Sequence, residues 1–161
     1  RIENTGKVIE TLIKKIVEEV KSPGTLVAIN PSRHYLEMGL SKLRPLFSKV
    51  DVVMMNREEA AYLTGVDFGD DIAIFRKLDE LVKGIAIMTD GSRGVVVSNG
   101  KQIYKASVFK EKELADRTGA GDAFGSGFVS GLLHNNFTDH RSSIFTSYPY
   151  LARASALYGG A

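Results

Sequence analysis

The stretch Asp116-Arg117-Thr118-Gly119-Ala120-Gly121-Asp122-Ala123-Phe124 holds the residues whose types and spacing best suit chemistry. Two glycines and an alanine stand where a loop turns into a helix, so several backbone N–H groups can converge there with no side chain blocking approach. A helix N-terminus of this kind is an anion site suited to phosphate. Asp122 falls in the first helical turn beside it, where a carboxylate can take a proton from a hydroxyl as that hydroxyl attacks phosphorus. Together these parts describe phosphoryl transfer. The plainer reading is a helix cap made of glycines and an aspartate. Two rival motifs fail. A P-loop needs Lys and then Ser or Thr after its glycines, and Gly121 is followed by Asp122 and Ala123. A dinucleotide fingerprint needs a third glycine where Phe124 stands, and belongs after a strand early in the chain.

Other chemistry-bearing residues have bland readings. Glu59 reads as a solvated charge in a helix first turn, and Thr89-Asp90-Gly91-Ser92-Arg93-Gly94 as a glycine-rich turn between strands. His34, His134 and His140 are scattered at spacings that suit no metal site, which leaves them surface or structural roles. Asp67, Asp70 and Asp71 read as helix caps, and Met54, Met55 and Met88 as packing residues in strands.

Positioning these residues is the work of alternating helices and strands. Val8, Ile9, Leu12, Ile13, Ile16, Val17 and Val20 recur at helical spacing, with Asn4 or Thr5 as N-cap and Pro23-Gly24 as the break. Thr25 to Ile29 reads as a short buried strand and leads into Asn30-Pro31-Ser32. A second helix is expected from about His34 to Phe47, with Gly39 as its weak spot, then a buried strand from Asp51 to Met55. The short helix REEAAYLTG follows Asn56 and ends at Gly65, and a third helix covers roughly Asp70 to Lys83 before the strand Ile85 to Met88. This rhythm predicts parallel strands with helices on the sheet faces. It then changes. Val95 to Ser98 and Gln102 to Ala106 flank Asn99-Gly100, the signal of a type I′ hairpin, so the sheet should become mixed. After the polar loop KEKELADR, Phe124, Phe128 and Leu132 share one helical face, with Gly127 and Gly131 allowing close approach to another backbone. A last helix is expected from about Ser147, with Pro149 in its first turn, to Leu157.

Composition narrows the classes of function. The 161 residues suffice for one domain of ordinary size, and 43% hydrophobic with 25% charged content fits a soluble globular chain. Lys and Arg total 21 against 19 for Asp and Glu, so no electrostatic case arises for nucleic acid or an anionic membrane. Cysteine is absent, which excludes a disulfide framework, a thiolate metal site and a cysteine nucleophile. No apolar run approaches the roughly 18 to 20 residues of a membrane span, and the first residues lack a signal-peptide core. The expectation is a cytoplasmic protein.

The Asp116–Phe124 stretch resembles the C-terminal signature of the ribokinase-like, or PfkB, family of carbohydrate and nucleoside kinases, approximately D-T-T-G-A-G-D-x-F. Asn30-Pro31, Asn56-Arg57-Glu58-Glu59 and Thr89 to Gly94 agree in order and spacing, so the resemblance spans about Leu26 to Gly131. It implies a ribokinase-like α/β fold: a mostly parallel sheet, helices on both faces and a β-hairpin at one side. Residues 1–161 would be the C-terminal portion of a single kinase domain, without the N-terminal strands and lid that carry most sugar contacts. The chain beginning at Arg1 fits that expectation.

The resemblance also assigns roles. Asp122 would be the general base, and the amides of Gly119, Ala120, Gly121 and Asp122 the anion hole for the transferred phosphoryl group. Asn56 and Glu59 match the N-x-x-E motif that helps hold Mg²⁺ near the phosphates, largely through water. Thr89, Asp90, Gly91, Ser92, Arg93 and Gly94 match the T-x-G-S-x-G loop along the nucleotide. Asp116 and Thr118 align with positions that bind a monovalent cation, K⁺, in some members. Arg117 replaces the commoner Thr, and Leu151 to Ala161 resembles the A-x-A-A-A segment over the adenine, with Arg153 where Asn or His is common.

The implied activity is ATP-dependent phosphorylation of a hydroxyl on a sugar, sugar derivative or nucleoside. A homodimer is among the assemblies open to the full-length protein. These residues alone are expected to bind nucleotide weakly and to phosphorylate nothing. A second reading is a non-catalytic nucleotide-binding or assembly module that retains the fold and needs a partner chain to cover its sheet edge. A third, a dinucleotide-dependent oxidoreductase, is disfavoured by Phe124 and by the late position of the glycines.

Overall fold

A computed structural model of the chain describes residues 2–15, 18, 25–107 and 119–134. In chain order the elements are α1 (Ile2–Lys15), β1 (Ala28–Ile29), α2 (Arg33–Leu36), α3 (Leu40–Phe47), β2 (Val52–Asn56), α4 (Arg57–Thr64), α5 (Asp71–Leu81), β3 (Ile85–Thr89), a 3₁₀ turn (Gly91–Arg93), β4 (Val95–Ser98), β5 (Ile103–Ala106) and α6 (Ala120–His134).

The strands form one sheet in the order β1-β2-β3-β4-β5. β1, β2 and β3 run parallel, whereas β4 and β5 are antiparallel to their neighbours. The switch occurs where the helical connections give way to a tight turn and a hairpin, because antiparallel neighbours need no crossover. Alternation along each strand sorts side chains between two faces. Val53, Met55, Ala86, Met88 and Val96 point to one face and pack with Tyr35, Leu36, Leu43, Phe47, Ala60, Leu63, Ile74, Phe75 and Leu78 from α2 to α5. Val52, Ile85, Ile87, Val95 and Val97 point to the other and pack with Phe124, Phe128 and Leu132 of α6. The expected α/β architecture, with a mostly parallel sheet covered on both faces, is present.

Four local expectations need correction. α1 begins at Ile2, so Asn4 and Thr5 lie inside the helix and do not cap it. The helix expected over residues 34–47 is two helices, because Gly39 at φ 82 leaves the helical region and serves as N-cap of α3. The first strand is only Ala28–Ile29, is exposed at Ala28 and, among the described residues, pairs with β2 alone. Ahead of it, Val27 N–H donates to Asp51 Oδ2 at 2.8 Å and replaces a ladder bond with a side-chain bond.

The fourth concerns the hairpin, whose apex is shifted by one residue. Ser98 pairs with Ile103, and Asn99 N–H donates to Gln102 O at 3.3 Å, so Gly100 and Lys101 form the tip. Gly100, at φ 79, takes the position that both primed turns require at positive φ. Asn99 instead uses Oδ1 to accept from the amides of Lys101 and Gln102, at 3.0 and 2.8 Å. The expected helix over residues 147–157, the loop KEKELADR and the segment Leu151 to Ala161 lie outside the described residues.

Candidate functional site

Three strand ends and one helix start build the site. Asn30 follows β1, Asn56 ends β2 and Thr89 ends β3, and the parallel register of Asn56 with Thr89 sets these two side by side. The carboxyl edge of parallel strands is where α/β sheets place ligands. α6 starts nearby at Ala120, preceded by Gly119 at φ 81. Its first helical bond runs from Ala123 N–H to Gly119 O at 2.9 Å, so the N–H groups of Ala120, Gly121 and Asp122 precede the ladder. Among the described residues, a Cβ built at Gly119 or Gly121 would meet nothing within 4 Å.

Asp122 is exposed in that first turn and lines a cavity of about 520 Å³ together with Asn30, Met54 and Ser126. Ser126 Oγ donates back to the Asp122 backbone carbonyl at 2.9 Å. α6 passes close over β2 at Gly125, where a methyl group would stand 2.3 Å from Met54 Cε.

A second cavity, of about 550 Å³, is lined by Asn56, Arg57, Glu58, Phe68 and the turn from Thr89 to Arg93. Asn56 and Glu59 form a reciprocal capping box: Asn56 Oδ1 accepts from Glu59 N–H and Glu59 Oε2 from Asn56 N–H, both at 2.8 Å. The N-x-x-E pair thus starts α4 and fixes both side chains at the strand end. This spends one carboxylate oxygen of Glu59 and leaves the other. A donor set of one carboxylate oxygen and amide groups fits Mg²⁺ held through its waters, not a cage of protein ligands.

The turn after β3 is closed by its own bonds, from Asp90 N–H to Gly94 O at 2.8 Å and from Arg93 N–H to Asp90 O at 3.0 Å. Gly94 is buried at φ 96, and a Cβ there would lie 1.9 Å from Ala106 O of β5. The last glycine of the T-x-G-S-x-G pattern is thus demanded by backbone approach. Gly91 and Ser92 are exposed at the tip. Asp90 directs its carboxylate to Arg57 and Arg93, at 2.7 and 2.8 Å.

The sequence reading gave no role to Arg57, Phe68 or Lys105, which surround this turn. Of the three aspartates read as caps, Asp70 caps α5 through Ala73 N–H and Asp67 accepts from Gly69 N–H. Asp71 instead pairs with Arg57 and Lys105. Burial works against its charge, but hydrogen bonds from Lys105 and Arg57 outweigh that and hold its carboxyl below the ordinary range. His34 is a surface residue 3.6 Å from Glu37. Asp116, Arg117, Thr118, His140 and Arg153 lie outside the described residues.

Comparison with known proteins places the chain in a family. A family model, pfkB family carbohydrate kinase, matches residues 10–142. An ATP-dependent 6-phosphofructokinase of Thermoanaerobacterium thermosaccharolyticum is 31% identical over 126 residues, 75% of this chain and 38% of that protein. A cytidine kinase of Thermococcus kodakarensis is 33% identical over 121 residues, 73% of this chain and 42% of that one. The chain therefore spans about two fifths of these curated relatives' length. Among solved structures, adenosine kinase from Sinorhizobium meliloti superposes with a TM-score of 0.70 at 24% identity, covering 83% of this chain and 41% of that one. Arabidopsis thaliana ribokinase complexed with ribose and ATP gives 0.64 at 21% identity, covering 90% and 45%. A glycine-started helix, a capped strand end and a closed glycine turn gathered on one sheet edge, together with a family match over most of the sequence, make this chain a member of the pfkB family of carbohydrate kinases.

Proposed function

We propose that this chain supplies the phosphate-handling edge of an ATP-dependent kinase that phosphorylates a hydroxyl of a sugar, sugar derivative or nucleoside. The observation that carries the reading is Asp122: exposed in the first turn of α6, beside open backbone amides, on the wall of a cavity shared with Asn30. The acceptor hydroxyl loses its proton to the Asp122 carboxylate as its oxygen bonds to the γ-phosphorus. The bond to the β-phosphate oxygen breaks and the nucleoside diphosphate leaves. Charge on the transferred group falls on the N–H groups of Gly119, Ala120, Gly121 and Asp122, fixed donors that need no reorganisation. Asn56 and Glu59 would hold Mg²⁺ through its waters, and the ion would neutralise phosphate charge. The turn from Thr89 to Gly94 would lie along the nucleotide, and Asp116 with Thr118 would serve a monovalent cation such as K⁺.

The test is Asp122→Asn and Asp122→Ala in the full-length gene product, assayed with Mg·ATP against a panel of sugars and nucleosides. A fall in kcat of about 10²- to 10⁴-fold is expected, with ATP affinity by calorimetry nearly unchanged. Turnover close to wild type in either variant would overturn the assignment of the base. Wild-type protein that binds NAD in preference to ATP would overturn the kinase reading itself.

A further inference from the structure

Arg57 follows the motif residue Asn56 and opens α4, yet its side chain is only 9% exposed. Burial opposes its charge, so its partners must be good ones. Nη1 donates to Phe68 O at 2.9 Å and pairs with Asp71, Nη2 reaches Asp90 Oδ2 at 2.7 Å, and the guanidinium lies 5.3 Å from the centroid of the Phe68 ring. One side chain thereby joins the start of α4 to the loop before α5, to the first residue of α5 and to the turn after β3.

Asp90 divides its carboxylate between two guanidiniums, with Oδ2 on Arg57 and Oδ1 on Arg93. Its side chain is 8% exposed, and both carboxylate oxygens are engaged by the arginines. Arg93 is 60% exposed and lies 5.5 Å from the same Phe68 ring, which leaves a cation at the cavity wall, held by its own neighbours. A planar guanidinium can serve partners in several fixed directions, whereas a lysine ammonium would supply charge without the fork.

From this geometry we infer that Arg57 is a positioning residue for the nucleotide. Through Asp90 it fixes the Thr89–Gly94 turn, and the Arg93 guanidinium the turn carries, against the Asn56–Glu59 end of α4. The wall of the second cavity is then set before a polyphosphate arrives, and binding need not order the turn. This rests on the kinase reading above.

Arg57→Lys and Asp90→Asn in the full-length gene product test it. Each is expected to raise KM and Kd for Mg·ATP about tenfold or more, with a smaller change in kcat. Each should also speed hydrogen exchange at the amides of Asp90, Arg93 and Gly94, which close the turn. Asp90→Asn leaves Arg57 its contacts with Asp71 and Phe68 O, and so reports on the turn should Arg57→Lys fail to fold. Unchanged exchange in the turn, or a lowered melting temperature with unchanged KM for ATP, overturns the proposal. Wild-type protein with no affinity for ATP overturns the kinase reading, whereas wild-type binding that both variants keep overturns the role of Arg57 alone.

Discussion

At the scale of the residue, the fate of a charge depends on what faces it. Asp79 on α5 is raised above the ordinary carboxylate range by burial, which the Ser98 hydroxyl, donating at 2.8 Å, does not outweigh. Asp71 is held low by Lys105 and Arg57 despite burial. The two should give opposite pH trends. The folded-state pKa of Asp79 lies above its unfolded value, so its ionised form weakens the fold at neutral pH, and that penalty vanishes as pH falls below the unfolded pKa. The folded-state pKa of Asp71 lies below its unfolded value, so its contribution is full above the unfolded pKa and is lost as pH falls through the folded one. Asp79→Asn should therefore raise the melting temperature near neutrality, by a margin that shrinks in acid. Asp71→Asn should lower it near neutrality, with a deficit that also shrinks in acid. Melting curves across the acid range check both signs, and a margin for Asp79→Asn that grew in acid would show that burial does not dominate there.

Elements on this sheet edge owe their boundaries to a few residues that act on the backbone. The Asn56–Glu59 capping box starts α4 where β2 ends, so the pair proposed to hold Mg²⁺ is also the pair that turns strand into helix. Gly94 and Gly100 both stand at positive φ, yet their surroundings differ. Among the described residues a Cβ at Gly100 meets nothing within 4 Å, so Gly100→Ala should cost only the conformational strain, about 1–2 kcal/mol. At Gly94 the same change drives a methyl into the carbonyl of Ala106, and Gly94→Ala should cost about 3 kcal/mol or more, or prevent folding. Urea denaturation of the two variants separates strain from collision. Equal losses would mean that β5 yields to the methyl group.

For the whole molecule, the sheet divides the interior into two packed layers that share only strands. Phe75 belongs to the layer under α5, whereas Phe128 belongs to the layer under α6 and stacks on Phe124 with ring centroids 6.3 Å apart. Each phenylalanine-to-alanine change should cost about 3–5 kcal/mol. Since the two lie on opposite faces of the sheet, their effects should add to within about 0.5 kcal/mol in a double-mutant cycle. A larger coupling energy would show that the sheet transmits packing from one face to the other. Among the described residues no helix is long and apolar enough to cross a membrane.

What the sequence by itself determined is what local chemistry encodes. Apolar runs marked β2, β3 and β4, Gly65 stopped α4, and the spacing of Asn56 and Glu59 is that of a capping box. Gly119 to Asp122 marked the start of α6 for the same reason: glycines and a carboxylate stand where loop turns into helix. Local signals failed where an external partner decided the outcome. Strand pairing of β1 starts only at Ala28, after Val27 N–H is taken by the Asp51 carboxylate, and the hairpin turned at Gly100-Lys101 because the register of β4 with β5 set its apex. Only tertiary structure buried Arg57 among Asp71, Asp90 and Phe68, residues far apart in the chain that meet because parallel strands end on one edge. Nothing in a charged residue after a strand distinguishes a solvated arginine from a buried one. The difference is made by groups of opposite charge arriving from other elements, and those arrive only when the sheet is assembled.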